Sequence, residues 1–201
     1  MTGAATARLF VAVDPPLGVR EQLLAWAREA LRGLGARGSG PVSVRVLDPE
    51  LLHLTLCFLG DRPVDEIAAI AGALGGCAGP VGELSIGAPL WLPPRRPRSL
   101  AVEVHDDPHG GLEALRGALV GALAEVCGSG EDEHRRRFRA HVTLARLRAG
   151  SGRGASEQGS LGERALPATP ALSFKPEEIV LYRSWLAPAG ASYEALAVQP
   201  V

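Results

Sequence analysis

The chain has 201 residues, of which 46% are hydrophobic and 21% are charged, and its formal net charge at pH 7 is −1. This length suits one large domain or two small lobes, and the small net charge argues against the bulk electrostatic capture of nucleic acid, for which a strongly basic domain is typical. The three cysteines are far apart and form no Cys-x-x-Cys pair, which argues against a disulfide framework or a structural zinc site and favours a reducing cytosol.

The first half of the chain alternates predicted strands and helices. Alternating or β-rich patterns predict strands at 8–14, 42–47 and 51–59, and apolar residues at helical spacing predict a helix over 17–34. Asp61 is a candidate N-cap for a second helix that runs to about 75–76, because Pro63 and two acidic residues follow it in the first turn.

The second half shows a similar alternation. Strands are predicted at 83–92, 99–104 and 138–147, and a helix over 108–127 is predicted from its leucine stripe. Residues 151–162 contain no core-forming side chains and are predicted to form a loop. Two further strands, 179–187 and 192–198, are predicted to close the chain as a hairpin around 188–190.

The order of these elements predicts an α+β fold. Consecutive strands without crossover helices imply mostly antiparallel pairing, with helices packed on one face of each of two sheets. We expect a single domain over 1–201 with two lobes, approximately 8–95 and 96–198, that fold as one unit. The N-terminal apolar run is short and no stretch approaches the roughly 18 apolar residues of a membrane span, so we expect a cytoplasmic protein without a membrane anchor.

A short motif occurs twice in the chain. His53-Leu-Thr55-Leu matches His141-Val-Thr143-Leu, although the chain has only five histidines and five threonines. About 0.1 His-x-Thr occurrences are expected by chance in such a composition, so the recurrence indicates an internal repeat. It suggests two similar lobes with a cleft between them.

The motif residues suit acid–base chemistry on a phosphodiester. On a strand, His53 and Thr55 share one face and the intervening leucine occupies the other, and the same holds for His141 and Thr143. Two imidazoles that face one cleft could act as a neutral base and a protonated acid near pH 7. The threonine hydroxyls could hydrogen-bond the phosphate oxygens as charge develops on them. This scheme needs neither a metal nor a cofactor.

The alternatives fit the residues less well. A metal site would favour carboxylates or closely spaced ligands, whereas His-x-Thr supplies one ligand per strand. A single motif alone would favour a structural histidine inside a sheet, but the pair reverses that preference. His105 and His109 flank a turn, and His134 with Arg135–Arg137 lies in a charge run that is typical of a solvated loop.

The two motifs resemble those of the two-histidine phosphoesterase superfamily. The opening RLFVAVD, the FLG after the first motif, the LAR after the second and the hairpin LYRSWLAPAGASYEAL are most similar to its bacterial RNA 2′,3′-cyclic phosphodiesterase branch, also called 2′-5′ RNA ligases. The similarity covers roughly residues 8–198. One departure is Ala140, where relatives often have proline before the second motif.

The resemblance implies a bilobal fold with a pseudo-twofold axis and the active site in the central cleft. It implies hydrolysis of a terminal 2′,3′-cyclic phosphate on RNA or oligonucleotide 3′ ends to a 2′-phosphate, without metal. Separately from the resemblance, we expect a monomer. His53 would be the proton donor and His141 the proton acceptor, and Thr55 and Thr143 would bind the phosphate. The order of donor and acceptor comes only from the family, because two symmetric motifs cannot reveal it.

Three further residues are weaker candidates. Arg146 matches a basic position of the family, but on a regular strand it would face away from His141, and a bulge would be needed to turn it towards substrate. Trp91 and Phe10 are candidates to stack a terminal base, although a place in the core suits both better.

Two other functions remain open at this stage. The same two histidines could run the reverse reaction, a 2′-5′ ligation, by microscopic reversibility. A non-catalytic module that binds nucleotides or RNA ends could keep the cleft, although binding alone needs no matched acid and base. An assay with a cyclic-phosphate dinucleotide separates the three.

Overall fold

The computed structural model describes residues 5–32, 42–77, 79–128, 138–149, 165–187 and 190–201. This part of the chain contains nine strands: β1 Thr6–Val13, β2 Val42–Val46, β3 Leu54–Pro63, β4 Leu84–Leu92, β5 Ser99–His105, β6 His141–Ala149, β7 Ser173–Phe174, β8 Glu178–Ala187 and β9 Gly190–Pro200. It also contains three α-helices: α1 Leu17–Ala30, α2 Ile67–Gly75 and α3 Gly111–Cys127. The predicted loop at 151–162, His134 and Arg135–Arg137 lie outside the described residues.

The strands pair in an antiparallel sheet. Their order is β7-β4-β5-β6-β3-β1-β8-β9, with β2 also paired to β6, and every recorded pair is antiparallel. The α+β class is therefore confirmed. Where we expected two sheets, hydrogen bonding joins two halves through a single recorded residue pair, Leu54 with Val142.

The two halves of the sheet combine distant parts of the chain. One half contains β2, β4, β5, β6 and β7, and the other contains β1, β3, β8 and β9. Each half thus takes strands from both ranges that we predict as lobes, 8–95 and 96–198. The two halves of the sheet therefore do not coincide with the two predicted lobes. The organisation into one folding unit with two lobes stays a prediction.

The helices cover the apolar face of the sheet. One hydrophobic cluster joins side chains of all three helices to the motif strands, and its fully buried members include Leu24 of α1, Ile70 of α2, Leu119 of α3 and Val142 of β6. Burial of these side chains holds the motif strands against the three helices. Each fully buried leucine or valine contributes about 1.5–3 kcal/mol to the stability of the fold. Within the described ranges, none of the helices combines the length and the apolar character that crossing a bilayer requires.

Two predicted helix starts are wrong. Asp61 is not an N-cap, because β3 continues through Pro63 in register with β1, and a 3-10 turn at Val64–Glu66 precedes α2. Helix α3 begins at Gly111 rather than 108, because the preceding turn is fixed by Asp106. That carboxylate accepts hydrogen bonds from the backbone N–H groups of Leu112 and Glu113 at 3.0 and 2.9 Å.

Candidate active site

The two motifs meet where β3 and β6 pair. Leu54 lies opposite Val142 in the antiparallel register, and both side chains are fully buried on the helix side of the sheet. Neighbouring residues on each strand point to the other face. The same register therefore brings four polar side chains together on that face: His53, Thr55, His141 and Thr143.

A bulge in β6 changes the direction of Arg146. The pairing with β5 skips Leu144, and Leu144 and Ala145 are consecutive residues that are both fully buried. The alternation of side chains is therefore shifted by one residue, so that Arg146 faces the same cavity as Thr143. The bulge that we named as the condition for a substrate contact of Arg146 is thus present.

The first motif has a matching bulge. The pairing of β3 with β1 skips Leu56, which is the counterpart of Leu144, so the repeat extends to the backbone irregularity. Phe58 then occupies the position that corresponds to Arg146. The guanidinium carbon of Arg8 lies over the Phe58 ring, 4.7 Å from its centroid. The two motifs therefore differ at this position, because Arg146 of the second motif brings a positive charge to the cavity and Phe58 of the first does not.

The four polar side chains and Arg146 line one cavity of about 360 Å³. The remaining lining residues are Leu47, Leu51, Leu92, Pro93, Arg98, Ser99 and Tyr193. None of these described lining residues is a carboxylate, so the cavity has two guanidinium groups and no acidic side chain of its own. The cavity therefore suits an anionic ligand that accepts hydrogen bonds from these side chains.

Both histidines are held by the backbone two residues before them. The Nδ1–H of His141 donates a hydrogen bond to the Arg139 carbonyl at 2.7 Å, which leaves Nε2 as the ring nitrogen available to the cavity. His53 has a hydrogen bond with the backbone of Leu51. Such a bond fixes both the tautomer and the orientation of an imidazole. The two motifs therefore share the backbone contact that orients the histidine ring.

Aromatic rings surround His53. Its ring centroid lies 4.8 Å from that of Phe10 and 5.1 Å from that of Tyr193, the latter edge to face. Burial among these rings is the main reason why the pKa of His53 is lowered to about 4; the hydrogen bond with Leu51 opposes the shift, and the charges of Arg146, His141 and Arg20 add to it. In these surroundings His53 is therefore neutral at neutral pH.

The protonation of His53 can be measured directly by NMR. We expect its Cε1 proton to titrate near pH 4, and Arg146→Met to move the midpoint to higher pH, because removing a nearby positive charge makes the imidazolium less unfavourable. Arg183→Met removes one positive charge at a residue that does not shift the pKa of His53. This control variant should leave the titration midpoint of His53 unchanged. Loss of the signal in His53→Ala assigns it, and a midpoint near the ordinary histidine value of about 6.5 would contradict this description of the site.

The structure separates the other sequence candidates. Trp91 and Phe10 are only 8% and 4% exposed, so neither offers a free face for base stacking, and Phe10 instead supports the His53 ring. His105 and His109 are exposed and flank the predicted turn. Among the described residues, no group of three histidine, cysteine or acidic side chains could hold a metal ion.

Sequence reasoning missed the three other polar residues that line the cavity. Tyr193 comes from the last strand, Ser99 is the first residue of β5, and Arg98 directly precedes it. The C-terminal hairpin that carries Tyr193 is predicted from the sequence and is part of the resemblance, but neither indicates that this side chain lines the cavity. Arg98 belongs to the Arg-rich turn between two predicted strands, where solvated arginines are the ordinary expectation.

No protein-family model matches the chain, but curated relatives do. The chain is 30% identical over 142 residues to an RNA 2′,3′-cyclic phosphodiesterase of Archaeoglobus fulgidus, and the match covers 70% of this chain and 73% of that protein. It is 31% identical over 140 residues to the Escherichia coli protein of the same name, with coverage of 69% and 71%.

Solved structures show the same architecture. E. coli LigT in complex with 3′-AMP superimposes with a TM-score of 0.73 at 25% identity, over 98% of this chain and 99% of that one. A Thermus thermophilus protein gives a TM-score of 0.70 at 27% identity over 95% and 96%. A third structure, described as a phosphoesterase, gives 0.72 at 26% identity over 98% and 99%.

Proposed function

Because the chain belongs to the RNA 2′,3′-cyclic phosphodiesterase family of two-histidine phosphoesterases, we propose that it hydrolyses the terminal 2′,3′-cyclic phosphate of RNA to a 2′-phosphate. The observation that carries this proposal is the single cavity that both motif histidines and both motif threonines line. The names of the two relatives support the reaction, and the cavity supplies the groups that it needs.

In the proposed reaction, water attacks phosphorus and the P–O3′ bond breaks. His141 accepts a proton from the attacking water through Nε2, which its bond to the Arg139 carbonyl leaves available. His53 donates a proton to the departing O3′, so the products are a 2′-phosphate and a free 3′-hydroxyl. Each proton transfer of this kind typically contributes about 10²–10⁴-fold in rate.

Thr55, Thr143 and Arg146 hold the phosphate in this scheme. The hydroxyls donate hydrogen bonds to the non-bridging oxygens, and the guanidinium offsets the charge that builds on them in the transition state. Their placement depends on the sheet, since Thr55 and Thr143 share the motif face and the bulge at Leu144 turns Arg146 towards it.

The donor role requires that substrate binding protonates His53. Burial is the main reason why the pKa of His53 is lowered to about 4, and positive neighbours that include Arg146 contribute. A cyclic phosphate is an anion, and its charge beside the ring favours the imidazolium and opposes both effects. We therefore expect His53 to take up a proton on binding and to deliver it to O3′ during turnover.

Proton transfer by these residues needs no metal ion, so hydrolysis of a cyclic-phosphate dinucleotide should survive exhaustive chelation. We expect wild-type kcat/KM to stay within about twofold after EDTA treatment and dialysis, because the described part of the site offers no set of metal ligands of the kind that hold a catalytic zinc ion. Abolished turnover that Mn²⁺ or Zn²⁺ restores would contradict the metal-free mechanism.

The same assay separates the alternative functions. Hydrolysis releases a dinucleotide 2′-phosphate, whereas ligation in the presence of an RNA with a 5′-hydroxyl end gives a longer product. A binding module would retain the cyclic phosphate unchanged. We expect the 2′-phosphate to predominate, because water is in large excess over any 5′-hydroxyl end.

A further inference from the structure

A second cavity of about 390 Å³ opens beside the first. The two cavities share Leu47, Leu51, Arg98, Arg146 and Tyr193 as lining residues, so they form one continuous concave region. Residues of the second cavity that do not line the first include Arg45 of β2. The second cavity lies on the β2 side of the motif residues, away from His53 and His141, which do not line it.

Positive charge is concentrated in this second cavity. Arg45 lies directly opposite Arg146 in the pairing of β2 with β6, and Arg98 precedes Ser99, which lies opposite Arg146 on the other side of β6. Like charges that face each other across antiparallel strands destabilise a sheet. A bound anion between the three guanidinium groups would convert this repulsion into attraction.

The described lining residues of the second cavity include no carboxylate. Arg45 has an ion pair with Asp48 at 3.8 Å, but the two side chains are 49% and 68% exposed, and ion pairs that are this exposed contribute little. Gly190, at φ 143°, has no Cβ, and the Arg45 guanidinium lies in the space that a Cβ there would occupy. This contact places the Arg45 charge at the wall of the cavity.

On the basis of the function proposed above, we propose that the second cavity binds the phosphodiester on the 5′ side of the reacting nucleotide. Arg146 and Tyr193 line both cavities, so an anion in the second would adjoin the nucleotide whose cyclic phosphate is held in the first. Leu47 and Leu51 form an apolar wall between them that suits a ribose or base. The enzyme therefore acts on oligonucleotide ends in preference to nucleoside cyclic phosphates.

Three substrates test this subsite: adenosine 2′,3′-cyclic phosphate, the same compound with a 5′-phosphate, and the ApA dinucleotide 2′,3′-cyclic phosphate. Wild type should show a kcat/KM at least about tenfold higher for the dinucleotide than for the nucleoside, as a charge-assisted phosphate contact can supply. Arg45→Met should abolish most of this gain and change the nucleoside rate by less than about twofold. Arg45→Lys, which keeps the charge, should retain a large part of it.

The salt dependence of KM provides an independent readout. Salt screens the attraction between a phosphate and a guanidinium, so a substrate that makes one more such contact shows a steeper slope of log KM against log salt concentration. The dinucleotide should therefore show a steeper slope than the nucleoside in wild type and in the control Arg183→Met, and Arg45→Met should remove the difference. Arg183 lines neither cavity.

The outcomes are distinguishable. If wild type hydrolyses none of the three substrates, the proposed function fails. A second outcome is that wild type hydrolyses the nucleoside while Arg45→Met lowers all three rates equally or lowers none of them. The proposed phosphodiester subsite is then wrong, and the proposed function stands. If the Arg45-dependent gain occurs with the 5′-phosphate compound and not with the dinucleotide, the cavity binds a phosphate monoester and the phosphodiester assignment is wrong.

Discussion

Replacing His53 or His141 by alanine should lower kcat on an RNA 2′,3′-cyclic phosphate by at least about 10²-fold, because each change removes one proton transfer from the transition state. The double variant should lose less than the product of the two single losses, since groups that act as one unit are non-additive. The measurement is kcat and kcat/KM for each variant with a cyclic-phosphate dinucleotide.

The fold should persist in these variants. Both histidines lie on the cavity face of the sheet, whereas the buried side chains that stabilise the motif strands, such as Leu54 and Val142, face the helices. Circular dichroism and a thermal melt provide the fold control. His109→Ala is the matched control, because this exposed histidine lies outside the cavity. A folded His53→Ala or His141→Ala that keeps near wild-type turnover would leave shared ancestry as the explanation of the repeated motif.

The four motif side chains that line the cavity could be predicted from the sequence because their common orientation depends on a local pattern. Alternation along a strand puts His53 with Thr55 and His141 with Thr143 on one face each, and this holds wherever the strands lie. The pairing of the two strands at Leu54 and Val142 is different in kind. It joins residues far apart in the chain, and neither strand contains a local signal for its partner.

Arg146 shows why an alternation argument has limits. A regular β6 would turn this side chain to the helix face, and only the extra residue at Leu144 brings it to the cavity. A run of apolar residues such as Leu144-Ala145 is compatible with a bulge but does not require one. Tyr193 and Arg98 were missed for a related reason, because their place in the cavity depends on strand pairing and not on the residues around them.

Asp61 shows the opposite failure, in which a correct local signal loses to tertiary contacts. An acidic residue followed by proline and two further acids is typical of a helix start. In the fold, the pairing of β3 with β1 extends past Asp61 to Pro63. The Arg62 guanidinium then bonds the Glu66 carboxylate at 2.6 Å, and helix α2 starts only at Ile67.

A substrate in which sulfur replaces the departing O3′ should separate the roles of the two histidines. A thiol ionises near pH ~8.5, far below an alcohol, so a thiolate departs without a proton donor. We expect His53→Ala to lose at least about 10²-fold on the oxygen ester but less than about tenfold on the 3′-thio ester. His141→Ala should lose at least about 10²-fold on both, because the attacking water needs a base in either case.

These two substrates decide a point on which the family pattern and the surroundings of His53 differ. The family assigns the donor role to His53, yet burial and the neighbouring charges lower its pKa and keep that ring neutral at neutral pH in the free protein. If the bound phosphate raises its pKa, the sulfur substrate rescues His53→Ala. If the substrate rescues His141→Ala instead, the roles are reversed: the buried neutral His53 is the base, and the imidazole anchored to the Arg139 carbonyl delivers the proton. Rescue of neither variant would mean that neither ring protonates the leaving atom.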